Sequence, residues 1–148
     1  TRRSSDLTGA SATRDRGKGF HNIVDVDKNL KVVSSQPADF DRQKGLTVTE
    51  NMLQSNSKIQ AIFAQNDEMA LGAFKALSTS GKKAIVVGFD GGDDAKKAVD
   101  AGEMTATVAQ QPKLMGSMAI ENVKKILTGA TVAKEVGVDL KLYVKTKK

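Results

Sequence analysis

QAIFAQNDEMALGAFKALSTSGKKAIVVGF, residues 60–89, sets two short apolar runs on either side of a stretch with helical spacing. The runs QAIFAQ and AIVVGF are apolar at successive positions rather than at every second one. That pattern predicts strands covered on both faces, as in a parallel sheet. Between them Ala70, Ala73, Phe74 and Leu77 recur at i, i+3, i+4 and i+7 behind an Asn66-Asp67 start, so a capped helix over 67–78 lays a small-residue stripe on that sheet. The rhythm continues outward. Downstream come a helix over Asp93–Ala101, the strand MTATVA and a helix over Pro112–Leu127, opened by proline and closed by Gly129. Upstream, Thr13–Val26 reads as helix, Leu30–Ser34 as strand and Asp41–Gln54 as helix. The final VDLKLYVK alternates Val138, Leu140, Leu142 and Val144, an apolar face opposite a wet one. The fold class expected is α/β: a doubly wound, mainly parallel sheet with helices on both faces.

Composition removes several classes. With 39% hydrophobic and 27% charged residues over 148 positions, the chain suits one ordinary globular domain. Its longest apolar runs fall far short of the roughly 20 residues of a membrane helix. Without cysteine there is no disulfide, thiolate metal site or cysteine nucleophile. The net charge of +6 is matched in number by Arg2, Arg3, Lys141, Lys145, Lys147 and Lys148 at the two ends, and no basic run is interleaved with aromatics. Hence no nucleic-acid surface is expected. Residues 1–7, TRRSSDL, join no apolar period and match the translation of a common sequencing-library adaptor, ACA-CGA-CGC-TCT-TCC-GAT-CT. They are expected to be a non-native leader.

In an open α/β sheet, ligands bind beyond the carboxyl ends of the strands. At those ends stand Phe40, Asn66, Phe89 with Asp90, and Gln110. A carboxylate accepts from neighbouring hydroxyls, amides donate and accept, and a flat aromatic covers an apolar ring face. Together they describe a site for a polyhydroxylated ligand. Arg16, near the start of the first helix, adds a fork of donors if that end faces the same rim. Each has a plainer reading: Asp90 before Gly91-Gly92 as a turn residue, Asn66 as a helix cap, Phe40 as a core anchor, Gln110 as a loop residue, Arg16 as a solvated arginine. His21 is the one histidine, with no carboxylate or thiol spacing for a metal. GFDGGDD lacks both phosphate-loop patterns, and its acids repel phosphate. No nucleophile with its base, or paired acid and base, can be named, so no enzyme is expected.

SSQPADFDRQKGL, AIFAQNDEMALGA, VVGFDGG, TATVAQQP and VDLKLYVK, in this order, resemble the C-terminal half of bacterial periplasmic ribose-binding proteins, type I periplasmic binding proteins that serve ABC sugar importers. The likeness covers about residues 8–148. It implies two lobes closing on a sugar, of which this chain holds one incomplete lobe. It assigns 8–110 to the C-terminal sugar-binding lobe, lacking its first strand and helix, 111–137 to a hinge crossing and a helix of the other lobe, and 138–148 to a returning hinge strand and basic tail. It also implies sugar contacts by Arg16, Phe40, Asn66, Asp90 and Gln110, with Phe89 lining the pocket. The expected partners are a small sugar, D-ribose first, a membrane permease and a chemotaxis receptor, around a periplasmic monomer without cofactor or metal whose signal segment lies outside this chain. The alternative is the effector domain of a sugar-responsive LacI-type repressor, which shares the two-lobed fold.

Overall fold

The computed structural model describes residues 11–146; the leader expected at 1–7 lies outside them. Five helices and four strands follow in the order α1 (Ser11–Val24), α2 (Arg42–Ser55), β1 (Ala61–Phe63), α3 (Asp67–Thr79), β2 (Ile85–Asp90), α4 (Asp93–Ala101), β3 (Ala106–Ala109), α5 (Pro112–Leu127) and β4 (Lys141–Val144). The strands stand in the order β1-β2-β3-β4. The first three pair in parallel and β4 runs antiparallel to β3. Sequential parallel strands joined by right-handed crossovers put both connecting helices on one face.

The register identifies the faces. Ile62, Val86 and Gly88 point toward α3, and Thr107 and Tyr143 continue that side across β3 and β4. Here sits the core: Ala70, Leu77, Val86, Ala95, Val99 and Met104 are all buried. α3 is buried over most of its surface, because α2 packs alongside it. Gly45 and Gly72 let the two backbones meet there, and a Cβ on Gly45 would stand 2.8 Å from the Met69 Cα. α1 lies across the other face, where Phe20 stacks on Phe63 with ring centroids 5.2 Å apart. Helices thus flank both faces, as the strand patterns predict.

Two expectations are corrected. Leu30–Ser34 forms no strand. Between it and β1 lies a cavity of about 440 Å³, lined by Phe20, Val24, Leu30, Val32, Phe63 and Val87 among others. An apolar run becomes a strand only where a neighbour accepts its hydrogen bonds, and here the gap stands in the neighbour's place. The final strand begins at Lys141 instead of Val138, and its apolar side is the wet one: Leu142 is 65% exposed, whereas Tyr143 packs against the core and bonds Asp100 at 3.0 Å. Leu142 and Val144 point to the α1 side of the sheet, where Ile85 is also exposed. α5 has no buried residue at all.

Candidate functional site

The rim at the carboxyl ends of β1, β2 and β3 is built by local rules. β1 runs into Asn66, whose side chain takes the α3 cap position and accepts from the Met69 amide at 3.0 Å. β2 ends on Asp90, which holds φ 119, followed by Gly91 at φ 74. Such a bend suits glycine, and Gly91 also leans so closely on Ala109 that a Cβ would lie 2.6 Å from the Ala109 Cα. β3 runs on into Gln110, whose amide donates to the Asp90 carbonyl at 3.0 Å. Upstream of α2, Asp39 and Phe40 hold φ 51 and 58, a tight turn that brings the Phe40 carbonyl to Asn66.

These tips converge. The Asp90 carboxylate accepts from the Gln110 side-chain amide at 2.6 Å and from Arg16 Nη2 at 3.1 Å. Arg16 Nη1 donates to the Gln65 carbonyl at 2.7 Å, and the guanidinium carbon lies 3.8 Å from the Phe89 ring centroid. Asn66 Nδ2 donates to the Phe40 carbonyl at 3.3 Å. The structure therefore joins Arg16, Phe89, Asp90 and Gln110 in direct contact, and Asn66 with Phe40 beside them through Gln65. Arg16 does face the rim, only 15% exposed. Asp90 remains 38% exposed and takes both bonds on Oδ1, so Oδ2 faces no donor among the described residues.

Some of the plainer readings hold as well. Asn66 is a helix cap and only 8% exposed, and Nδ2 makes one bond among the described residues, to the Phe40 carbonyl. Phe40 packs against the core. Asp90, however, is not the cap of α4: that position is Gly92, with no side-chain bond. His21 bonds Asp25 on the helix surface at 3.1 Å. Among the described residues no group of three His, Asp or Glu side chains could hold a metal ion.

The sequence did not single out Asp67 or Thr107. Asp67 is 6% exposed and Thr107 fully buried. The Thr107 hydroxyl donates to Asp67 at 2.6 Å, and the Gly92 amide donates to the other carboxylate oxygen at 2.7 Å. Burial pushes the Asp67 carboxyl above its ordinary range, opposed by these two donors, while the nearby Asp90 charge pushes it further up. An aspartate at the first helical position reads as an ordinary first-turn acid, so nothing in the sequence distinguished it.

A family model described as "Periplasmic binding protein domain" matches residues 5–131. The chain belongs to that family. Among curated relatives, the ribose import binding protein of Haemophilus influenzae is 55% identical over 136 residues, 92% of this chain and 46% of the relative. That of Bacillus subtilis is 56% identical over 136 residues, again 92% of this chain and 44% of the relative. The chain thus spans less than half the length of these relatives. A periplasmic solute-binding protein from Actinobacillus succinogenes, solved with bound D-allose, superposes with a TM-score of 0.90 at 32% identity, covering 95% of this chain and 51% of that one. Among the described residues, no helix is long and apolar enough to cross a membrane.

Proposed function

We propose that this chain supplies the C-terminal part of a periplasmic receptor for a small sugar, D-ribose first, serving an ABC importer without catalysing a reaction. The observation that carries it is the convergence of Arg16 from α1 with Phe89, Asp90 and Gln110 at the tips of β2 and β3, a carboxylate braced by two donors and still open to solvent. A braced carboxylate presents a fixed acceptor to vicinal hydroxyls, and hydrogen bonds to a charged partner are the strong ones. Import binding proteins among the relatives favour the receptor over the repressor.

In this reading residues 8–110 form one lobe, 111–137 cross to a helix of the other, and 138–148 return along the hinge. The solvent-facing apolar residues Ile120, Val123, Ile126 and Leu127 of α5 are then the surface the second lobe covers. The cavity beside β1 is the seat of the lobe's first strand, which would pair with Leu30–Ser34 on its other side. Sugar held by both lobes stabilises only the closed state, and that closed state is what a permease, or a chemotaxis receptor, would read on a periplasmic monomer.

The test is a two-lobed chimera in which residues 8–148 follow the part of the Haemophilus influenzae relative that precedes its matched segment. Calorimetry should find saturable D-ribose binding to the chimera and none in the micromolar range to this chain alone, since half a cleft leaves one ring face in water. A chimera that is folded yet silent toward ribose and other small sugars overturns the proposal.

A further inference from the structure

We propose that Asp67 and Thr107 form a buried clamp beneath the rim and act as positioning residues for Asp90, fixing the turn that aims its carboxylate at the sugar. The inference rests on the receptor reading above and extends it to residues that do not line the cup.

Three hydrogen bonds make the clamp, and they tie three separate elements. Asp67, the first residue of α3, accepts the Thr107 hydroxyl of β3 at 2.6 Å and the Gly92 amide at 2.7 Å. The Thr107 oxygen in turn accepts the Gly91 amide at 3.2 Å. Thus the amides of both glycines after Asp90 are held from below by buried side chains, while Gln110 and Arg16 hold the Asp90 carboxylate from above. The room is specific: Gly88 lies directly under the Asp67 carboxylate, so closely that a Cβ there would collide with Oδ1.

Two further features argue that the clamp does more than fill space. Asp90 holds φ 119 although it is not a glycine. A side chain in that region persists only where its surroundings over-determine it, and here the surroundings are the two tethered amides. In addition, Asp67 carries its charge into the interior without a cationic partner among the described residues. The α3 N-terminus and the two donors compensate part of the cost, and the carboxyl is still pushed upward by burial. A neutral side chain would serve packing at lower cost. A carboxylate is required to accept two donors at once, one on each oxygen, from β3 and from the turn.

The test uses the two-lobed chimera with Asp67→Asn, Thr107→Val and Thr107→Ser, and Val99→Ala as a control that opens the fully buried core of α4 away from the turn. Asparagine accepts on one atom only, and valine keeps the shape of threonine without its hydroxyl. Both are expected to weaken ribose binding about tenfold, the effect of losing one well-made polar contact, and to speed amide exchange at Gly91 and Gly92. Thr107→Ser restores affinity and protection, because serine keeps the hydroxyl. Val99→Ala lowers the unfolding temperature and leaves the affinity as it was. Unchanged binding in Thr107→Val, or equal weakening in Val99→Ala, overturns the clamp. A parent chimera that binds no ribose overturns the receptor reading instead. Exchange at the two glycine amides still decides the clamp in that case: protection unchanged in both Asp67→Asn and Thr107→Val overturns it.

Discussion

Replacing Asp90 by glycine should separate stability from binding, because the two depend on different parts of the residue. Asp90 sits at φ 119 and braces Arg16 and Gln110 through one carboxylate oxygen. For a residue with a side chain that backbone costs about 1–3 kcal/mol, which glycine recovers. Against this stand the added chain entropy of glycine, about 0.5–1 kcal/mol, the loss of a partly exposed ion pair, about 0–1 kcal/mol, and the loss of the Gln110 hydrogen bond, about 0.5–1.5 kcal/mol. The balance lies near zero. Binding has no such compensation. If the carboxylate accepts sugar hydroxyls, its loss removes charged hydrogen bonds contributing about 1.5–3 kcal/mol, a fall in affinity of about 10- to 150-fold. Urea unfolding and calorimetry with D-ribose on the two-lobed chimera read both quantities in one preparation. Unfolding free energy that holds while affinity drops is the expected pair. A marked loss of stability with affinity kept within threefold would show that Asp90 serves only the turn.

Gly91→Ala should destabilise the chain by about 1–3 kcal/mol, since the added Cβ meets Ala109 and φ 74 is strained for alanine; denaturant midpoints that match the parent contradict this. The bare apolar face of α5 should make the isolated chain associate, and Ile126→Glu with Leu127→Glu should keep it monomeric in sedimentation, with no change in helix content by circular dichroism. Asp67 gives a pH dependence of defined sign. Its folded-state carboxyl lies above the unfolded value, so its contribution is most favourable below the unfolded value and is lost as pH rises through the folded one. The stability of Asp67→Asn relative to the parent should therefore rise with pH across that interval and then level off. A difference that is flat, or that falls with pH, would count against the burial of this charge.

Residues 60–109 were readable because each element there is specified locally and completed within the chain. The Asn66 cap, the Ala70–Leu77 stripe and the successive apolar positions of β2 all find their partners in neighbouring elements. The same reasoning failed at Leu30–Ser34 and in the alternation of β4 for one shared physical cause. Periodicity says that a segment has an apolar side, but only the neighbour decides which side is dry and whether the backbone pairs. On the α1 side of the sheet that neighbour is a cavity beside β1, and solvent beside Ile85 and Leu142.

The rim was readable for a different reason: parallel strands end at one edge, so residue type at a strand's end is already a statement about place. That rule selected Asp90 and Gln110, whose side chains meet at 2.6 Å. It could not select Asp67 or Thr107, since a first-turn acid and a strand threonine are ordinary in any α/β sequence. Their role depends on Gly88 leaving a space below the turn and on β3 bringing a hydroxyl to it. What strand ends reveal is which groups can touch a ligand. What holds those groups in place is set by contacts across the sheet, here from Thr107 to a residue 40 positions earlier, and periodicity carries no record of them.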